Sequence, residues 1–160
     1  MAGDDRGRVV LFDGKGQRRV LTDGFNFTAS TDTKRMNGCD GVNPEFEFDG
    51  TVYVPLATGQ TVRATTVRNH KNHTFFGFRG SIQHSGIAEP YKFTAVAGAA
   101  ELGTGDVVTA MIPVAGSADT GAMLVLCQDS AWTLYGNSAA DWQFTPLSRE
   151  AGGNAFSAED

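Results

Sequence analysis

The chain repeats itself. Residues 73–96, HTFFGFRGSIQHSGIAEPYKFTAV, and residues 122–147, AMLVLCQDSAWTLYGNSAADWQFTPL, carry the same features in the same order. Each begins with an apolar run, breaks at a short polar pair and resumes with alternating residues. Each then reaches a glycine, Gly86 or Gly136, passes a small-residue bend and closes on an aromatic-x-Phe-Thr stretch. Those closing stretches are Tyr91-Lys92-Phe93-Thr94 and Trp142-Gln143-Phe144-Thr145. Self-similarity at such a period is the mark of architectures in which one supersecondary unit stacks on the next.

The repeating unit reads as β. No stretch holds a helical apolar period for three turns without Gly, Pro or β-branched residues interrupting it, whereas short Val-, Thr-, Phe- and Tyr-rich runs bounded by Gly, Asp and Asn abound. Four hairpins follow from their turn residues: around Asp13-Gly14-Lys15-Gly16, at Asp49-Gly50, at Arg79-Gly80 and near Gln128-Asp129-Ser130. A strand leads into each of the last two, TVRATTVR (61–68) through NHKN and VVTAMIPV (107–114) through AGSADTG. The aromatic-x-Phe-Thr stretch supplies a fourth strand. Four antiparallel strands in about 45 residues make a β-propeller blade. A β-sandwich also has many short strands, but it does not demand strand-for-strand likeness between successive units. The expected fold is therefore all-β, built of four-stranded antiparallel blades.

The count of blades is short. Residues 60–106 and 107–148 form two units, residues 8–59 supply one or two partial ones, and residues 1–7 and 151–160 are tails. At about 45 residues per blade the chain holds three to three and a half, below the four to eight that close a ring. Either it is a piece of a longer protein, or another copy or a partner completes the ring. An open fan leaves strand edges unpaired, which soluble proteins avoid.

Charge and motifs exclude several functions. A formal net charge of −5 gives no footprint for nucleic acid or an anionic membrane, and the start, MAGDDRGR, has no apolar core of a signal peptide. Cys39, in the turn NGCDG, and Cys127, in MLVLC, read as free thiols, the first exposed and the second a small buried hydrophobe. His70 and His73, three apart at a strand entry, are expected on opposite faces, and His84 has no Cys, Asp or Glu in matching register. In the plain reading His70 and Asn72 bond turn backbone. ELGTGD lacks the Lys-Ser or Lys-Thr and the helix of a phosphate cradle, and reads as a turn between blades. Ser81, Ser85 and Ser130 sit outside any nucleophile elbow. Glu45 and Glu47 share a strand face, as a hydrolytic dyad would, but read as a solvated edge. Trp132, Tyr135 and Trp142 suit a sugar platform, though packing between sheets is the better account. No catalytic, cofactor-binding or metal-binding residue is assigned, and no cofactor is expected.

The ordered short motifs carry a resemblance. Asn37-Gly38, Phe48-Asp49-Gly50-Thr51, His70-Lys71-Asn72, Gly105-Asp106 and Asp129-Ser130-Ala131-Trp132 resemble, in that order, the β-propeller domain of tailed-bacteriophage neck and tail structural proteins, including the nozzle proteins of short-tailed phages. The resemblance spans about residues 36–150. Related proteins are several times longer and carry further blades. It implies a non-enzymatic virion component of the neck or tail, a head–tail connector element assembled in the host cytoplasm. Its implied partners are copies of itself or neighbouring virion proteins in a ring, with no specific nucleic-acid binding and no membrane. The alternative is a carbohydrate- or receptor-binding propeller in which loop aromatics make the contact.

Overall fold

The protein is seen in a computed structural model that describes residues 35–48, 52–114 and 121–154 in full, and in addition the backbone of the strands between Ala2 and Asp32. Fifteen strands and one short 3₁₀ helix make up these parts. The first three, β1 (Ala2–Gly3), β2 (Val9–Phe12) and β3 (Arg18–Val20), form a three-stranded sheet. A second sheet contains β4 (Thr28–Asp32), β5 (Arg35–Cys39), β6 (Phe46–Phe48) and β7 (Tyr53–Pro55). The third contains β8 (Thr66–His70), β9 (His73–Gly77), β10 (Ser81–His84) and β11 (Ala100–Gly103). The fourth contains β12 (Val108–Pro113), β13 (Met123–Cys127), β14 (Ala131–Tyr135) and β15 (Gln143–Ser148). Every sheet is an antiparallel meander whose spatial order is its sequence order.

The protein is thus all-β, with consecutive blade-like sheets and no closed barrel. The first strands β4, β8 and β12 lie side by side, so the sheets fan out from a common line. Residues 8–59 hold one complete four-stranded sheet, β4–β7, together with β2 and β3 of the sheet before it. Two expected hairpin turns are as read. Arg79-Gly80 is closed by the Phe78 N–H donating to the Ser81 carbonyl at 2.8 Å, and Gln128-Asp129 by the Cys127 N–H donating to the Ser130 carbonyl at 2.8 Å. The turns at Asp13-Gly14-Lys15-Gly16 and Asp49-Gly50, and most of AGSADTG, lie outside the described residues.

One strand was misassigned by the repeat. The fourth strand of the third sheet is Ala100–Gly103, paired Ser81↔Gly103 to His84↔Ala100, and not Tyr91–Thr94. The Tyr91–Thr94 stretch instead follows a turn in which the Gly86 N–H bonds the Lys92 carbonyl, and the chain then makes a 3₁₀ turn, η1 (Ala95–Ala97). Gly98, at φ 79°, ends that turn. Pro90 lacks the N–H a ladder needs, and Phe93 is drawn inward, its ring 5.8 Å from that of Phe76. The other copy of the motif does form a strand, β15, beginning at Gln143.

The cores lie between sheets. Cys39, Leu56, Ala64, Val67, Phe76 and Phe78 fill the junction of the β4–β7 and β8–β11 sheets. Phe75, Ile82, Val108, Met111, Met123, Val125, Cys127 and Leu134 fill the next junction. Strand β9 lies between the two and is buried at every position, with Phe75 serving one core and Phe76 the other. Its run HTFFG therefore lacks alternation because both faces are covered. Strand β13, in the last sheet, buries alternate residues only, so Leu124 and Leu126 are half-exposed on the face away from the junction. Cys39 is buried rather than exposed, since it ends strand β5 instead of sitting in a turn, and Cys127 is a buried free thiol.

Candidate functional site

Among the described residues, His70, His73, His84, Ser85 and Trp142 gather beside the junction of the last two sheets. The cluster begins with a turn. Lys71 and Asn72 have φ of 51° and 61°, a two-residue hairpin loop of the kind that Asn tolerates and that fits the twist of its strands. Residues flanking such a loop face each other, so His70 pairs with His73. Directly paired residues share a face of the sheet. The two rings are therefore on one side, not on opposite faces as strand alternation suggested, because the chain turns between them. Strand β10 adds His84, paired with Phe75.

Trp142 comes from the neighbouring sheet, just before β15. Its indole N–H donates to His84 Nε2 at 3.0 Å. An indole is a donor only, so Nε2 of His84 presents its lone pair and the ring's proton is on Nδ1. That Nδ1–H donates to the Ser85 carbonyl at 2.8 Å, and Nδ1–H of His73 donates to the same carbonyl at 2.6 Å. One carbonyl thus holds two imidazoles. Ser85 is fixed in turn, its hydroxyl accepting from the Thr74 N–H and donating to the Gly86 carbonyl. The rings of His73 and His84 meet edge-on at 4.8 Å, and Trp142 lies 5.7 Å from His84 and 5.8 Å from Phe75.

Burial governs the charge of this cluster. His84 is fully buried, and desolvation lowers its pKa from 6.5 to about 4; the Ser85 bond pulls the other way and His73 adds a little more lowering. His70 falls to about 4 as well, through burial first, then the Lys71 charge and then His73. The Nε2 atoms of His70 and His73 are buried without a partner. Among the described residues no three of His, Cys, Asp and Glu gather as metal ligands. His70 and Asn72 do not bond turn groups with their side chains as expected. The Asn72 carbonyl does so, accepting from the Ala88 N–H at 2.7 Å.

The other sequence candidates have structural partners. Glu45 and Glu47 are both buried, not a solvated edge. Glu45 Oε1 accepts from the Ala64 N–H at 2.8 Å and fastens the segment before β8 to the β4–β7 sheet, while Glu47 pairs with Arg35 at 3.3 Å. They serve different partners. In ELGTGD, Glu101–Gly103 belong to β11 and the turn is Thr104-Gly105-Asp106. Asp106 Oδ2 accepts from the Asp129 N–H and the Ser130 hydroxyl at 2.9 and 3.0 Å, and Oδ1 from the Val107 N–H. Desolvation, the largest single influence, pushes its pKa up, but the hydrogen bonds together outweigh it and hold the carboxyl below the usual range. Trp132 stacks on Phe144 at 4.9 Å against the inter-sheet core, with its N–H on the Ser130 hydroxyl. Tyr135, three residues on, is exposed on the opposite face, so the three aromatics do not share a platform.

The sequence did not single out the cluster's central pairing. Its one visible cue was the three-residue spacing of His70 and His73 about a Lys-Asn pair. Comparison with protein families, with curated proteins and with solved structures finds no match.

Proposed function

We propose that the chain is a structural, non-enzymatic segment of a tailed-phage virion, acting in the neck or tail as a rigid scaffold. One observation supports this reading above others: Gly105-Asp106, Asp129-Ser130 and His70-Lys71-Asn72, three of the motifs behind the resemblance, work as fasteners. Asp106 ties the turn between the third and fourth sheets to the Asp129-Ser130 hairpin. The His-Lys-Asn turn sends Lys71 Nζ across to Asn137 at 2.8 Å. Arg68 Nε, on β8, donates to the Met111 carbonyl of β12 at 3.0 Å. Polar side chains spent on joining sheets suit a part that must keep its shape inside a larger assembly.

Mass spectrometry of density-banded, nuclease-treated particles from a culture carrying the coding sequence tests the assignment. The chain should be present at a fixed copy number per particle, and its absence from the particles would refute the reading. Association is a second expectation. The last sheet covers one face only, and a fan of this kind exposes strand edges. The purified chain should sediment at micromolar concentration as an oligomer or aggregate; a compact monomer with one cooperative unfolding transition would remove the need for ring partners.

A further inference from the structure

We propose that the Trp142–His84 hydrogen bond is a proton-operated latch between the β8–β11 and β12–β15 sheets, closed at neutral pH and released when His84 takes up a proton. The bond leaves the imidazole one place to titrate. Nδ1–H is committed to the Ser85 carbonyl, and Nε2 is the acceptor for an indole that can only donate. A proton taken from solvent must bind the Nε2 lone pair. Two N–H groups then face each other and the bond is lost. The same proton places a full charge between the rings of Phe75, His73 and Trp142, where no counter-charge waits among the described residues.

The groups bearing on His84 are few and none is acidic among those described. On its own sheet they are His73 and, beyond it, His70 and Lys71 at the turn. From the opposing sheet the ring in contact with His84 is the uncharged indole of Trp142, which packs on the apolar core of Met111, Met123 and Leu134. Asp141 precedes Trp142, but its Oδ1 is taken by the N–H groups of Asn137 and Ser138 and by the Ser138 hydroxyl. Burial is the main obstacle to protonation, and the nearby His73 adds to it. The neutral ring is therefore the folded form well below 6.5, and its stabilisation is complete above 6.5 and lost as pH falls towards about 4.

The moving part is also defined. Trp142 ends the loop that joins β14 to β15, and the ladder pair beneath it is Tyr135↔Gln143. Within the loop, Asp141 caps its own turn and the Trp142 N–H bonds the Ser138 carbonyl at 3.0 Å. It is a self-contained unit fastened to the neighbouring sheet through Trp142 and through Asn137, which accepts from Lys71. It can lift without opening the β14–β15 ladder.

The test uses the full chain carrying W132F, which leaves Trp142 as the sole emitter of the chain's 2 tryptophans. Titration from about pH 7 to about pH 3 should shift the emission to the red and raise acrylamide quenching, with the far-ultraviolet dichroism of the sheets unchanged. In H84Q the amide oxygen can still accept the indole N–H but cannot titrate. The transition should vanish or move at least about one pH unit towards acid. An H84Q titration superimposable on that of the W132F chain would overturn the proposal, as would no transition in the W132F chain by about pH 3. Should H84Q fail to fold, ultraviolet resonance Raman of the Trp142 N–H in the W132F chain reads the bond directly. Its weakening in step with the emission supports the latch, and a bond unchanged across the titration overturns it.

Discussion

Replacement of Phe75 by Ala should destabilise the protein by about 3–5 kcal/mol, the cost of a large aromatic removed from a closed core. Phe75 is fully buried and its ring meets His84 at 5.3 Å, Trp142 at 5.8 Å and His73 at 6.2 Å. The space cannot collapse easily, because its walls belong to two separate sheets whose spacing is set elsewhere by backbone bonds. One of these is Val108 N–H to the Phe78 carbonyl at 3.1 Å. Domains are stable by about 5–15 kcal/mol, so this single truncation consumes a large share. Urea unfolding followed by circular dichroism, at one fixed protein concentration because association shifts the midpoint, measures it. Val96, at 102% exposure, is the control: V96A should change stability by no more than about 0.5 kcal/mol. Equal effects at the two positions would show that the junction is not a packed core.

The second large effect should come from adding atoms rather than removing them. Gly77 ends β9 where the innermost strands of two sheets converge. A Cβ there would lie 2.5 Å from Thr66 Cγ2 and 2.7 Å from Val108 Cγ1. Both neighbours are β-branched and stiff about χ1, so neither can swing aside. G77V should therefore cost about 1–3 kcal/mol or more and force the β8–β12 contact apart, although valine is a better strand former than glycine. The contrast is Gly103, at the end of β11, where a Cβ meets nothing within 4 Å. G103V should be neutral or slightly stabilising in the same urea assay. A tolerated G77V would mean that the two inner strands do not pack as closely as described.

Much of the fold was legible because its signals are local. Arg79-Gly80 and Gln128-Asp129 between alternating runs marked hairpins correctly, since turn residues and strand periodicity act over a few neighbours. The failures were of a different kind. Tyr91–Thr94 and Trp142–Thr145 look alike in sequence, yet only the second leads into a strand. The choice rested on which segment could reach the open edge of β10, and Ala100–Gly103 reached it. Glu45 and Glu47 looked like a solvated edge because a carboxylate's burial depends on a distant donor, the Ala64 N–H in one case and Arg35 in the other. His70 and His73 were placed on opposite faces by counting along a strand that in fact turns between them.

By itself the sequence determined that this chain is all-β and that its strands come in antiparallel hairpins. Hydrophobic period and turn chemistry are properties of adjacent residues, so they survive without a structure. Only the tertiary structure decided that Trp142 reaches His84 across 58 positions of chain, that one Ser85 carbonyl holds two imidazoles, and that Gly77 has no room for a side chain. Those facts depend on how closely whole sheets approach each other. That distance is set by the summed packing of both faces of β9, and no short stretch of residues contains it.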